Sequence, residues 1–363
     1  MGHPRLRQNT YSSVPGVISY LGAVKTESLY SSAVLSGIPA TDVGISGLAY
    51  HLPSFRRSLR ELEADGLLRG SADTLASFGF EYVHIARDES HVDMAIQAAR
   101  QALDESAVAR ADVGLVLYAS ALATSATMAP PREGPDAPVL RLDTVEQCFE
   151  YPVSALQAEL ELTSATVAGV NQQGCASLMS AIRIGRAMLA AEPELRNVLC
   201  VGADVFPEHT PRDLVYNVIS DGACAALLSE GARNRILACR QVTKGDYWNA
   251  ATLEHEVIAA YFPTARNLIA ETLDAADLTL DDIALIVPHN VSRRSWDILR
   301  GLLRLPEERV FADNIARVGH TIAADNLLNL RDILDRGLVT RGDRLLLFTF
   351  GFGLNWSCMV VEH

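Results

Sequence analysis

The sequence predicts an α/β protein built twice over, on two internal echoes and on the buried-strand character of the segments they repeat. The first echo needs no gap. Ala102-Leu103-Asp104, then Asp112-Val113-Gly114-Leu115-Val116-Leu117-Tyr118, recurs as Thr272-Leu273-Asp274, then Asp282-Ile283-Ala284-Leu285-Ile286-Val287-Pro288, at a constant offset of 170 residues. The second follows in the same order. Val167 to Cys175, a helical stretch and Asn197 to Gly202 parallel Val310 to His320, a helical stretch and Asp343 to Phe348. Each unit is a helix, a short loop and a β-branched run of the kind buried on both sheet faces, which predicts a largely parallel sheet. One match could be chance; two in the same order favour duplication.

Along the chain, residues 1–42 hold Ser, Gly, Pro and Tyr without sustained periodicity and read as an irregular extension. Regular structure is expected from Val43 to about Pro53. Residues 43–230 form the first half and 231–363 the second. Ala129 to Pro138 carries four prolines in ten residues and reads as a surface loop.

Bulk properties narrow the function. The 363 residues are 49% hydrophobic, so a large core is available. No apolar run approaches the roughly 18 residues of a membrane span, and the N-terminus opens no signal-peptide core. The net charge of −13 argues against nucleic acid and anionic membrane as partners. Six cysteines at 148, 175, 200, 224, 239 and 358 show neither disulfide nor metal spacing. Cys200 and Cys224 lie in apolar strand patterns and read as core. A reducing cytoplasm fits, and no metal or cofactor is called for.

Cys175 stands out. In Val170-Asn171-Gln172-Gln173-Gly174-Cys175-Ala176-Ser177 it ends an apolar run and opens a helical pattern. Backbone N–H groups and the helix dipole favour a thiolate at such a junction, although free cysteine is as often a small buried residue. The duplication puts His320 at the equivalent helix start, and His289 just beyond a buried strand, where open α/β sheets carry functional groups. Facing halves would bring all three to one cleft.

Taken in order, Cys175, His289-Asn290, Gly319-His320-Thr321 and Gly351-Phe352-Gly353-Leu354-Asn355-Trp356 resemble the thiolase fold over roughly residues 43–363. Within it the chain is most similar to β-ketoacyl-acyl-carrier-protein synthase III and its acyltransferase relatives, a likeness that Ser220-Asp221-Gly222-Ala223-Cys224 shares. The resemblance implies a duplicated, five-layered αβαβα fold, a homodimer, Cys175 as acyl-carrying nucleophile and His289 as its proton-transfer partner. It also implies an oxyanion hole from the N–H groups of Cys175 and Gly353, which would stabilise the tetrahedral intermediate of thioester attack.

Three departures refine this expectation. Condensing members carry asparagine after the glycine where this chain has His320. Asp325, five residues on, matches a subgroup that uses Cys, His and Asp to pass acyl groups to a hydroxyl or amine. A carboxylate beside a histidine orients it and supports its protonated form. Helix N-terminal stabilisation is the plainer role for Asp325, and a polar filler of the cleft the plainer role for His320. Asp73 and Ser77 replace the tryptophan and arginine that clamp adenine in acetyl-CoA-using members, which favours a carrier-bound donor over free CoA. An acidic carrier would need a basic patch on this acidic chain, and Arg293, Arg294, Arg300 and Arg304 supply a candidate, or else a solvated helix face. Finally, Gly245 to Glu256 leaves little loop to shape an acyl tunnel.

The function that follows is acyl transfer. An acyl group moves from an acyl carrier protein, or CoA, to Cys175, and then to a small hydroxyl or amine acceptor with His289 and Asp325 as activators. Polyketide or other secondary metabolism is the setting the resemblance implies. The alternatives are decarboxylative Claisen condensation with His320 in place of asparagine, and a catalytically silent thiolase-fold partner subunit.

Overall fold

The computed structural model describes residues 42–128, 145–214, 217–249 and 254–363. The expected extension before Asp42 and the proline-rich stretch 129–138 lie outside the described residues. Nine strands form one sheet: β1 (Val43–His51), β2 (Val113–Ala119), β3 (Thr166–Val170), β4 (Asn197–Asp204), β5 (Gly222–Glu230), β6 (Asn234–Thr243), β7 (Ile283–Val287), β8 (Arg344–Gly351) and β9 (Asn355–Glu362). Their order is β7-β8-β9-β6-β1-β5-β4-β2-β3. Outward from the central β1–β6 pairing, each side repeats one topology. The first half runs β1, β5, β4, β2, β3. The second runs β6, β9, β8, β7, and a lone parallel bridge between Ile286 and Val310 takes the fifth place. Val310 is where the sequence echo pairs with Val167 of β3.

The sheet is mixed rather than largely parallel. Pairings β2–β3, β2–β4 and β7–β8 are parallel, whereas β4–β5, β5–β1, β1–β6, β6–β9 and β9–β8 are antiparallel. Helical crossovers give the parallel pairs. Strand β8 instead reverses directly into β9 through residues 352–354, and such a short link permits only antiparallel neighbours.

Five helices matter for the layering: α1 (His91–Ser106), α2 (Ser177–Ala191), α3 (Glu254–Asp274), α4 (Arg293–Leu303) and α5 (Asp325–Asp335). One buried cluster joins Leu178, Met179 and Ile182 of α2 and Leu327, Leu330 and Ile333 of α5 to strands of both halves. A second packs α3 and α4 on the other face of the second half through Leu268, Ile269, Trp296 and Leu299. A third packs α1 on the other face of the first half through Met94, Ala95, Ala98 and Ala102. Outer helices, one half of the sheet, the paired helices α2 and α5, the other half of the sheet and its outer helix make five layers, the αβαβα arrangement of the thiolase fold. Small residues set the outer spacing. A Cβ at Gly47 of β1 would stand 2.1 Å from the Ala102 carbonyl oxygen of α1, so only glycine fits that approach. The start of α1 is fixed by a reciprocal capping box between Ser90 and Asp93.

Candidate active site

Strand β3 delivers the chain to a tight turn that carries the nucleophile candidate. Gln172 and Gly174 adopt φ of 65° and 52°, and Gly174–Ala176 form a single 3₁₀ turn that runs into α2. No side chain caps α2 and no acidic residue occupies its first turn, so its positive end is uncompensated beside Cys175. The end of β8 presses on this turn. A Cβ at Gly351 would lie 2.3 Å from the Gln173 carbonyl oxygen and 2.7 Å from the Cys175 nitrogen. A Cβ at Gly174 would meet the Phe352 nitrogen at 2.6 Å. Thr349 Oγ1 adds a hydrogen bond to the Cys175 carbonyl, at 3.4 Å. Gly353 lies in the following turn with φ of 117°, a conformation that favours glycine.

The imidazole that meets Cys175 is that of His320. Its Nε2 stands 3.3 Å from Sγ, and its Nδ1 stands 2.5 Å from Asp325 Oδ2. Asp325 is fully buried and saturated: Oδ1 accepts from the Thr321 N–H and hydroxyl at 2.6 Å each, and Oδ2 also accepts from the Asn290 N–H at 2.6 Å. Residues 319–324 form a loop, not a helical turn, and α5 begins only at Asp325. Two unusual backbone positions fold the loop back. Gly319 takes φ of 78° against the Val218 and Tyr82 carbonyls, and Ile322 takes φ of 55°, which is strained for a β-branched residue. The bonds to Asp325 offset that strain.

Electrostatics follow the contacts. Burial opposes charge on His320, but the Asp325 carboxylate and Cys175 outweigh it and hold the imidazole well above its ordinary pKa. Burial likewise works against ionisation of Asp325, yet His320 and the hydrogen bonds from Thr321 and Asn290 keep its carboxyl below the usual range. His320 is therefore the protonated member of a buried ion pair.

His289 occupies a different place from the one expected. It is fully buried, its ring centroid lies 6.2 Å from that of His320, and its ring nitrogens make no well-formed hydrogen bond, the Phe348 backbone being the one hydrogen-bonding neighbour close enough to act on its charge. Desolvation, reinforced by the charge on His320, depresses its pKa to about 3, so the ring is neutral. Trp296 and Phe348 flank it edge-on, and the Trp296 indole N–H donates to the His289 carbonyl at 3.0 Å. Asp325, expected beside His320, bonds the His320 ring; next to His289 it reaches only the backbone N–H of Asn290.

Cys175 and His320 open onto a cavity of about 480 Å³, mostly apolar in its walls. Val257, Tyr261 and Phe262 come from α3, Phe350 from the end of β8, Phe352 from the turn that follows it, and Leu122 and Phe206 from loops of the first half. Tyr261 packs edge-on against Phe262, Phe348 and Phe350, which fixes the aromatic wall. Asn217 interrupts these apolar walls. The alternation of Phe350 and Phe352 before a glycine was a readable sign of one lined face, but Asn217 and Tyr261 carry no local sequence signal and were missed.

The four arginines separate. Arg294 lines the cavity on the first turn of α4, beside Ser292 and Ser295. Arg293 packs next to Gly79, with its N–H bonded to the Phe78 carbonyl. Arg300 is committed to Asp297 at 2.9 Å and Glu307 at 4.0 Å. Arg304 caps the helix in the left-handed region with φ of 56°. Asp73 and Ser77 sit on a short helix, Ala72–Ser77, where Asp73 is exposed and paired with Arg60 at 2.8 Å. Among the described residues no group of three His, Cys, Asp or Glu could hold a metal ion, and no helix is long and apolar enough to cross a membrane.

Comparison with known proteins agrees with this geometry. Residues 171–245 match the 3-oxoacyl-[acyl-carrier-protein] synthase III family, and residues 273–363 match the C-terminal part of that synthase. A β-ketoacyl-[acyl-carrier-protein] synthase III of Aquifex aeolicus is 24% identical over 297 residues, covering 78% of this chain and 88% of the relative. Among solved structures, the acyltransferase ChlB3 is similar with a TM-score of 0.75 and 25% identity, over 88% of this chain and 97% of that one. A priming β-ketosynthase of a polyketide biosynthetic pathway superposes with a TM-score of 0.70 at 21% identity, over 88% and 96% of the two chains. With residues of both halves of the repeat matched and the five layers in place, the chain has the thiolase fold and is similar to the β-ketoacyl-acyl-carrier-protein synthase III family.

Proposed function

We propose that this enzyme is an acyltransferase that accepts an acyl group on Cys175 from an acyl-carrier-protein or CoA thioester and passes it to a small hydroxyl or amine acceptor. The observation that carries this reading is the continuous contact from Cys175 Sγ through His320 to Asp325. In the proposed resting state the Cys175 thiol proton has passed to His320 Nε2 while Asp325 holds Nδ1, so the sulfur attacks the thioester carbonyl as a thiolate paired with the imidazolium. Backbone N–H groups of Cys175 and Gly353 are the proposed donors to the tetrahedral oxyanion. The intermediate collapses, the C–S bond to the donor breaks, and His320 gives its proton to the departing thiolate.

Acylation then resets the base. The thioester sulfur carries no charge, so one of the influences that held the proton on His320 is gone. Neutral His320, oriented by Asp325, accepts the acceptor proton as oxygen or nitrogen attacks the acyl carbonyl. Cys175 leaves as thiolate, and the ion pair is restored.

Arg294 at the cavity is the proposed contact for the anionic donor; Arg293, Arg300 and Arg304 are weaker candidates because packing, ion pairs and capping occupy them. The division into halves at residues 230 and 231, a homodimer, and a setting in polyketide or other secondary metabolism belong to the same proposal. The ChlB3 likeness supports acyl transfer, and the priming ketosynthase likeness supports the setting. Condensation is the second reading, favoured by one observation: neutral His289 stands one ring behind His320, where it could assist a developing enolate.

The test is intact-mass spectrometry of the chain after exposure to acyl carrier thioesters, followed by chase with either malonyl carrier protein or alcohols and amines. Acyl-Cys175 discharged to an ester or amide supports the proposal. Efficient formation of β-ketoacyl product and carbon dioxide supports condensation instead. No adduct with any donor points to a silent partner, and loading that survives Cys175→Ala removes the nucleophile assignment.

A further inference from the structure

Three polar side chains share one face of α5. Asp325, Asn329 and Asp332 follow one another at spacings of four and three, which stacks them along the helix. Asp325 holds His320; the other two belong to a buried network that the proton transfers leave unused. Asn329 is fully buried and every polar group on it is committed. Its Nδ2 donates to the Pro288 carbonyl and to Asn290 Oδ1, at 2.8 Å each, and its Oδ1 accepts from Asn314 Nδ2 at 2.8 Å.

Groups that bond in one direction fix which way these amides point. A guanidinium only donates and a carboxylate only accepts. Arg317 donates to Asn314 Oδ1 at 2.8 Å and pairs with Asp332. The Nδ2 of Asn314 is therefore turned to Asp332, at 2.9 Å, and to Asn329. Asn329 has to meet it with oxygen, which aims its own N–H groups at residues 288–290. An orientation set at the half-exposed Arg317 is carried inward to Asn290. The Asn290 Nδ2 is buried without a partner, so its bond to Asn329 is what offsets burial of that amide.

The gripped segment meets the catalytic groups twice. The Asn290 N–H donates to Asp325 Oδ2 at 2.6 Å, the same oxygen that meets His320 Nδ1. The bonds to Oδ1 come from Thr321, inside the loop of His320 itself, so Asn290 is the tie between Asp325 and the end of β7. Pro288 and Asn290 also bracket His289, whose ring stands behind that of His320.

We propose that Asn329 is a positioning residue for the His320–Asp325 dyad: it clamps residues 288–290 so that the Asn290 N–H anchors Asp325, and Asp325 in turn holds the imidazole against the Cys175 sulfur. Asn329 touches no reacting atom and moves no proton. The inference rests on the reading of His320 as the acid–base partner of Cys175, and it concerns the thiolate before any acyl group arrives.

The experiment follows alkylation of Cys175 by iodoacetamide in the full chain, read on the Cys175 peptide by mass spectrometry, because the thiolate is the species that reacts. The far-downfield proton resonance of the His320–Asp325 hydrogen bond, read by NMR, is the second measurement. Asn329→Ala is expected to slow alkylation about tenfold, the size of one well-placed hydrogen bond, and to shift or broaden the resonance, with the circular dichroism spectrum unchanged. Asn290→Ala keeps the backbone N–H but removes the grip; it is expected to do the same, and it decides alone if Asn329→Ala does not fold. Asn197→Ala deletes another buried amide, one that donates to the Asp112 carbonyl at 2.9 Å, and controls for lost stability. Alkylation within about threefold of wild type in the two clamp variants, less than one hydrogen bond supplies, overturns the proposal. Equal slowing in Asn197→Ala also overturns it. Asp325→Asn separates the levels: unchanged alkylation there sinks the acid–base reading and the clamp with it, whereas slowing there alone sinks only the clamp.

Discussion

His320 Nδ1 and Asp325 Oδ2 lie 2.5 Å apart, both fully or almost fully buried, and this one contact fixes which ring nitrogen faces Cys175. With Nδ1 committed to the carboxylate, Nε2 is left to meet the sulfur. Asp325→Asn removes the charge while keeping the shape. It is expected to slow both loading and discharge of Cys175 by roughly a hundredfold or more, as loss of the orienting carboxylate does in such triads. Single-turnover intact mass reads both steps. A loss below about threefold would mean that the carboxylate only caps α5.

The two histidines should respond differently. His320 touches Sγ, whereas His289 stands behind it with a neutral ring. His320→Gln is expected to depress loading on the order of a hundredfold or more, and His289→Gln to leave it within about tenfold. Equal losses would return His289 to the first contact with sulfur.

The same two residues give opposite pH signatures. The His320 pKa is raised, so its stabilisation is complete below the unfolded value near 6.5 and is lost as pH climbs through the folded value. The His289 pKa is depressed to about 3, so the folded state binds fewer protons than the unfolded state and stability falls as pH drops from about 6.5 toward 3. Urea denaturation of His289→Gln across this range is expected to show a flatter acid limb than the wild type. An unchanged limb would show that burial of His289 is relieved by local opening.

Asp204 makes the reverse case for a carboxyl. Fully buried at the end of β4, it accepts from the N–H groups of Ala121 and Leu122, which line the cavity. Burial, aided by Asp221, lifts its pKa to about 7 against those hydrogen bonds. Because the folded value exceeds the unfolded one near 4, wild-type stability should decline as pH rises from about 4 to 7. Asp204→Asn is expected to remove that decline, and Asp204→Leu to destabilise by about 1–3 kcal/mol for each N–H left unpaired. Denaturation at both ends of the range checks the sign.

Gly351 tests the seat of the nucleophile. An added Cβ would collide with the Gln173 carbonyl and the Cys175 nitrogen. Gly351→Ala is expected to destabilise by about 1–3 kcal/mol and to cut loading roughly a hundredfold by displacing the sulfur about 1 Å. Gly301→Ala on α4, where a Cβ meets nothing within 4 Å, is the control and should gain up to about 1 kcal/mol.

Read from sequence alone, the duplication, the buried strands and the turn at Cys175 were accessible because each is written in contiguous residues. Hydrophobic runs at a fixed offset report a repeated unit whatever the units pack against. The antiparallel pairings were not accessible, since nearly the whole first half of the chain separates β1 from β5 and β6. Nor was the choice between the two histidines. His320 and Asp325 were singled out by type and spacing, but helical spacing would not have joined them; a loop with Ile322 in the left-handed region does. The contact from Sγ to Nε2 spans 145 residues, and the bond from Asn329 to Asn290 spans 39. The sequence by itself determined the duplication and singled out the cysteine at its turn. The tertiary structure decided which imidazole meets that sulfur and the wall it faces, because proximity across distant segments is set by packing of the whole core and not by any local pattern.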